Sequence, residues 1–209
     1  MPHQLPWTGP ARQTGRMAKP DKPAGRAPTE ARLHEAALAH LARFAATEAG
    51  LARVLARRVD RWARRAEAEG QDSEAVAEAA RQARQAAVAV ARRMVVAGAV
   101  DDAAFAASRA KRLARTGRSR RAISAHLAGK GVATAVAQAV LPQDEVAAAL
   151  ALCKRRRFGP FAREAMEREA KLKALAVLGR AGFSRDAADA ALTMEPEAAE
   201  DRLRGLRDA

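Results

Sequence analysis

The sequence predicts an all-α protein built from tandem three-helix repeats that form an elongated, curved array. Apolar residues recur with a 3.6-residue period from Ala31 to about Met194. The few β-branched residues share that helical spacing and show none of the alternation of a strand. The chain is 49% apolar, but much of this is alanine and aromatics make up only 3%, so each helical face buries little area. Thin, spread-out cores fit such faces better than one thick globule.

Residues 1–29 hold six of the nine prolines, with scattered Gly, Arg and Lys and Trp7 as a candidate docking side chain. This composition predicts a disordered basic tail. A first three-helix unit spans 30–100. Leu33, Ala37, Leu41 and Phe44 mark its first face, and Leu51, Leu55, Val59 and Trp62 the second. Val88, Ala91 and Val95 mark the third, after the break at Gly70 and the Asp72-Ser73 cap. A second unit spans 101–142, its last helix carrying Val132, Val136 and Val140 before Pro142. A third spans 143–195, with Leu150, a turn at Phe158 to Pro160, a helix through Leu172, Leu175 and Leu178, and a final helix from Ser184. Pro196 sets off a charged C-terminal tail, 196–209. Ile123, Leu127, Gly131 and Val132 find counterparts at one constant offset in Ala174, Leu178, Gly182 and Phe183, as a repeat requires.

The middle unit is the most informative stretch. Asp101 and Asp102 suit the free amides and the dipole of a first helical turn. Ala106, Ala110 and Leu113, with Phe105 beside them, mark an inward face, and Ser108, Lys111, Arg112 and Arg115 the outward one. Gly117 supplies a left-handed stop. Ser119 caps a second helix that turns Ile123 and Leu127 inward and ends at Gly131.

These residues carry a resemblance. Asp101-Asp102, Phe105-Ala106, Arg118 to Arg121, Ile123, Leu127 and Lys130-Gly131 resemble the signature of the RecX family, regulators of the RecA recombinase. Phe158-Gly159, Lys171, Leu178 and Gly182-Phe183-Ser184 resemble the family's C-terminal end. The likeness runs over about residues 30–195. The family commonly has Leu where this chain has Val100, and Arg where it has Ala181. The resemblance implies a protein that lies in the groove of the RecA–DNA filament and restrains filament growth, ATP hydrolysis, strand exchange and co-protease activity. It implies RecA as partner, with single- or double-stranded DNA met through the filament.

Charge supports a polyanionic partner. The formal net charge is +14 and the pI about 11.3. Arg109, Lys111, Arg112, Arg115, Arg118, Arg120, Arg121 and Lys130 form one cluster, and no acidic residue occurs between 107 and 130. A second comprises Lys154, Arg155, Arg156 and Arg157, with Lys171, Lys173 and Arg180 in the same unit, diluted by Glu164, Glu167 and Glu169. Guanidinium groups bind phosphate or carboxylate bidentately, and a row of them neutralises several charges at once. Aromatics for base stacking are nearly absent, which disfavours single-strand readers of the OB or RRM type.

Catalysis finds little support. No Walker spacing, nucleophile elbow or paired catalytic carboxylates occur, and His3, His34, His40 and His126 form no ligand pair. No metal or cofactor is expected. Cys153, the lone cysteine, falls on the stripe Val146, Leu150, Cys153 as a small buried hydrophobe. With no signal-peptide core or spanning run, the expectation is a soluble cytoplasmic monomer. A second reading is a helix-turn-helix transcriptional regulator with Arg118 to Leu127 as recognition helix. It lacks Asn or Gln placed for adenine and a dimerisation helix. A third is an adaptor whose basic face meets acidic protein.

Overall fold

The computed structural model describes residues 24–208, which hold ten α-helices and no strand. The first group is α1 (Glu30–Leu41), α2 (Glu48–Ala68) and α3 (Ser73–Val96). The second is α4 (Asp102–Arg115), α5 (Arg120–Lys130) and α6 (Thr134–Ala139). Then come α7 (Glu145–Arg156), a 3-10 turn at Gly159–Phe161, α8 (Arg168–Arg180), α9 (Arg185–Thr193) and α10 (Pro196–Asp208). Side-chain caps start most of these helices: Thr29 takes Arg32 N–H, Asp72 takes Ala75 N–H and Asp144 takes Ala147 N–H.

There are two cores. Leu33, Leu51, Leu55, Val59, Val90 and Met94 close the first group on itself. Ile123, Leu127, Leu150, Cys153, Leu178 and Phe183 belong to a second core shared by every helix from α4 onward. Alanines fill much of both, so the helices approach closely.

Several sequence expectations shift. The segment 196–208 is a docked helix rather than a tail. Ala199 and Leu203 are buried in the second core, Leu206 packs on it, and Arg202 pairs with Asp144 at 2.7 Å. Its dense charge masked an amphipathic spacing of 199, 203 and 206. Residues 24–29, assigned to the disordered tail, lie across α2. Trp62 Nε1 donates to the Gly25 carbonyl at 3.0 Å, and Ala24 N–H donates to Glu69 at 2.7 Å. The expectations for Trp7 and the tail before residue 24 fall outside the described residues. On α3, Val88 and Val95 are exposed, and the buried stripe is Val76, Ala80, Ala83, Ala87, Val90, Ala91 and Met94. Leu172 is likewise exposed, and Phe44 lies beyond the end of α1 at 59% exposure. On α3 alanines share the buried stripe with Val76, Val90 and Met94. On α4 the buried face is Ala106, Ala110 and Ala114, with Phe105 and Leu113 half-buried.

The groups are joined by a repeated device. Thr47 and Ser119 are the N-caps of α2 and α5, at 2% and 0% exposure, and each hydroxyl accepts a helix amide (Gly50 and Ala122). Each also donates across to the end of the next group's middle helix. Thr47 Oγ1 reaches the Lys130 carbonyl at 2.7 Å, and Ser119 Oγ reaches the Ala181 carbonyl at 2.8 Å. Gly131 and Gly182, one residue after those carbonyls, are left-handed with φ of 85° and 88°. A Cβ on Gly131 would lie 2.4 Å from Ala49 Cβ, and one on Gly182 2.8 Å from Ser119 Oγ. Glycine is needed there for both reasons. At the first joint, Asp102 Oδ1 accepts from Glu48 N–H at 2.8 Å, while Asp101 alone caps α4 through Ala103 and Ala104. The middle helix of the last group has Glu167 at its N-cap, exposed and without a capping bond.

Ser119→Ala removes a cap worth about 1 kcal/mol and leaves the part-buried Ala181 carbonyl without its partner, so urea unfolding should show a loss of about 2 kcal/mol. Ser119→Thr should retain most of the stability. Ser119→Asp should not rescue it, because a carboxylate can accept from Ala122 N–H but has no proton for Ala181. An unchanged midpoint for Ser119→Ala would show that the hydroxyl does not join the groups.

Candidate polyanion-binding face

Helix α4 begins on Asp101 and ends at Gly117, whose φ is 75° and whose Cβ position is occupied by the Leu152 backbone amide at 2.6 Å. This contact seats the α4–α5 turn against α7. Ser119 then fixes the start of α5, and both helices turn their basic residues outward.

The structure divides the predicted middle cluster between two sides of α4. Phe105, Arg109 and Arg112 follow one another at i, i+4 and i+7 and face the first group. There they border a groove of ≈ 770 Å³ that Arg43 and the exposed Phe44 close from the other side. His126 of α5 accepts a hydrogen bond at Nε2 from Arg109 Nε at 3.1 Å, and Lys130 and Arg118 are close enough to act on its charge. Arg109, Arg118 and Lys130 thus all act on His126, and Arg112 lines the groove beside Arg109. Lys111 and Arg115 lie on the other side, toward α10. Arg115 Nε reaches the Leu206 carbonyl at 3.3 Å, and Arg155 Nη1 reaches the Thr116 carbonyl at 2.7 Å, with Lys154 and Arg207 beside them. Arg120 is half-buried at the start of α5. Arg121 stands at the second joint, its Cβ 3.5 Å from where a Gly182 Cβ would be.

The remaining predicted cations lie on α7, just after it, and on α8. Lys154 pairs with Glu200 at 2.6 Å and lies 5.6 Å from the Phe161 ring centre. Arg156 and Arg157 are exposed where α7 ends, and the run Lys154 to Arg157 also suits the negative end of that helix dipole. On α8, Lys173 pairs with Glu169 at 2.7 Å, while Lys171 and Arg180 are exposed. No hydrogen bond or ion pair among the described residues joins these three to the middle group.

The middle group carries unneutralised charge. Among the described residues, ion pairs occur in the first group (Arg84–Asp60, Arg92–Glu48, Arg93–Glu30) and from α7 onward (Lys154–Glu200, Lys173–Glu169, Arg202–Asp144). None involves a basic residue between 107 and 130. Surface faces ordinarily mix signs, and a one-sign face is a place for a partner of the other sign. The sequence reading missed Arg43 and Phe44, which join this face only through the fold, and gave His126 no role. Nothing local to residue 43 could have placed it against residue 109.

Other chemistry is limited to structure. Burial pushes the Cys153 thiol up to about 11, which keeps it protonated and unreactive. Among the described residues, no group of three His, Cys, Asp or Glu side chains is placed to hold a metal, and no helix is long and apolar enough to cross a membrane.

Burial, and then the charges of Arg109, Lys130 and Arg118, hold the His126 imidazole below its usual 6.5. A histidine with a depressed folded value stabilises the fold above its unfolded value and loses that contribution as pH falls. Stability should therefore fall as pH drops below about 6.5 toward the folded value. His126→Gln, which offers Arg109 an oxygen that does not titrate, should flatten that part of the profile. A His126 resonance titrating at or above the free value by NMR would contradict this.

The family model for the second three-helix domain of RecX matches residues 101–141, the span of α4 to α6. The curated "Regulatory protein RecX" of Myxococcus xanthus (strain DK1622) is 37% identical over 177 residues, covering 79% of this chain and 89% of that protein. The "Regulatory protein RecX" of Agrobacterium fabrum (strain C58) is 34% identical over 106 residues, covering 50% of this chain and 58% of that one. A solved structure of regulatory protein RecX shares the fold, with a TM-score of 0.50 at 19% identity over 78% of this chain and 70% of that one. The near-complete match at 37% identity, together with the three-helix match on the cationic middle group, shows that the chain belongs to the RecX family of regulatory proteins.

Proposed function

We propose that this protein regulates RecA by lying in the groove of the RecA–DNA filament, where it inhibits filament extension, ATP hydrolysis, strand exchange and co-protease activity. The observation that carries the proposal is the unneutralised cationic face of the middle group, in a chain whose family membership points to RecA. Tandem units held by rigid joints can engage several weak sites along a filament at once, and the effects multiply. This work requires binding and positioning, and no catalytic residue. It belongs in the cytoplasm, where a monomer would meet RecA on DNA. A helix-turn-helix transcriptional regulator is less well supported, because α5 presents no Asn or Gln for base readout.

Arg112, Arg118 and Lys130 are exposed, and no hydrogen bond ties their side chains within the described residues. Replacing all three by Ala should leave helicity intact. At about 1 kcal/mol for each contact removed, binding to RecA filaments should weaken about a hundredfold. Inhibition of RecA's ATP hydrolysis on single-stranded DNA should fall in step. Arg12, Arg16 and Lys19, replaced together, provide the control of equal charge. Equal loss in both variants would mean that net charge alone acts and that the middle face is no specific site.

A further inference from the structure

Helix α10 closes only part of the surface it covers. Ala199 and Leu203 are buried in the second core, but Leu206 stays half-buried and Gly205 brings no side chain. Between that end of α10 and α4 lies a pocket of ≈ 490 Å³, walled by Ala110, Ala114, Val140, Pro142, Ala147 and Leu206. Its size and apolar lining are those of a site for a small organic molecule. Gly205 borders the pocket too, and the backbone does not call for a glycine there. It sits inside a helix, where alanine is the better former, and a Cβ at that position would meet nothing within 4 Å. What the glycine does is leave the pocket open.

The charged groups around it leave one cation over. Asp144 accepts from the Arg202 guanidinium at 2.7 and 3.1 Å and from Ala147 N–H at 2.9 Å, so that acid and that base satisfy each other. Lys111 is exposed at the edge of the pocket, and no hydrogen bond or ion pair among the described residues engages its ammonium. We propose that this pocket binds a small amphiphilic carboxylate, its apolar body held between α4, α7 and α10 and its carboxylate on Lys111. Burying the body removes apolar surface from water, and the ammonium gives the ligand its polarity. A peptide segment fits poorly, because its backbone amides would enter a space whose apolar walls offer them no partner. A nucleic-acid strand fits worse, since it needs a row of cations and finds one. The pocket lies on the α10 side of α4, away from the groove that Arg109 and Arg112 border, and stands or falls independently of the regulation of RecA.

The test uses the full chain and decanoate below its micellar range, with decanol and decyltrimethylammonium as the neutral and cationic probes of equal chain length. Decanoate should saturate a single site in titration calorimetry. By NMR it should move the methyl resonances of Val140 and Leu206 and leave those of Leu33 and Val59, in the first core, where they are. Decanol should bind about tenfold more weakly, and decyltrimethylammonium more weakly still. Lys111→Ala should bring decanoate down to the level of decanol without changing decanol itself, and Lys111→Arg should keep the preference. Gly205→Leu fills the pocket from α10 and favours the helix, so it should abolish binding of both probes with no loss of melting temperature. Val140→Phe, which fills the pocket from the opposite wall, should do the same to binding. Four results would each overturn the proposal: no saturable binding of decanoate, equal binding of the cationic probe, full affinity in either filled variant, or resonance shifts centred on the exposed Leu38 and Phe44.

Discussion

The rest of the structure depends on a hydroxyl that works in two directions. At Thr47 and again at Ser119, one oxygen accepts the amide of its own helix and donates to the last carbonyl of another group's middle helix. Asn, Asp and Gly also serve as N-caps, but a carboxylate has no proton to give and glycine has no side chain. These are the two buried polar residues among those described, and no buried side-chain polar atom there is left without a partner. A polar group sealed between packed helices costs several times more when unpaired than it contributes when paired, so the contact fixes geometry more than it adds stability. The left-handed glycines complete the joint by letting the helix ends approach where any side chain would collide.

Rigid joints matter because the surfaces they hold are made of like charges. Arg109, Arg112, Arg118 and Lys130 repel one another, and the thin alanine-lined cores provide little area with which to resist displacement. The structure handles this by anchoring backbone and not side chains. Lys130 offers its carbonyl to Thr47 and to Arg53 at 2.8 Å, while its ammonium remains outside. Arg109 rests against a neutral histidine. The cationic surface is thus preorganised, and a partner meets it with little ordering still to be done.

Local chemistry was legible in the sequence, and long-range chemistry was not. Gly117, Gly131 and Gly182 declared themselves as helix stops, and Ser119 as a cap, because those roles depend on neighbours within a few residues. The constant spacing from Ile123-Leu127-Gly131 to Ala174-Leu178-Gly182 marked the repeat, and the structure gives it a cause in two equivalent joints. Thr47 went unnoticed because its partner lies 83 residues away. Helix α10 was mistaken for a tail because a short charged amphipathic helix looks like one until it has a surface to cover. Val88 and Val95 do not mark the buried face of α3, because Val76, Val90 and Met94 with four alanines form the inward stripe instead. Of the site, the basic residues could be listed, but their sorting into faces depended on α4 having a different neighbour on each side.

Amide hydrogen exchange in Ser119→Ala tests the central claim most directly, since a cap and a joint differ in how far their loss is felt. The account predicts faster exchange not only at 119–123 but also at 178–184, which is distant in sequence and hydrogen-bonded to Ser119 through the Ala181 carbonyl, with the equivalent joint at 47–51 and 130–132 unchanged. Faster exchange confined to 119–123 would reduce Ser119 to an ordinary cap and contradict the account.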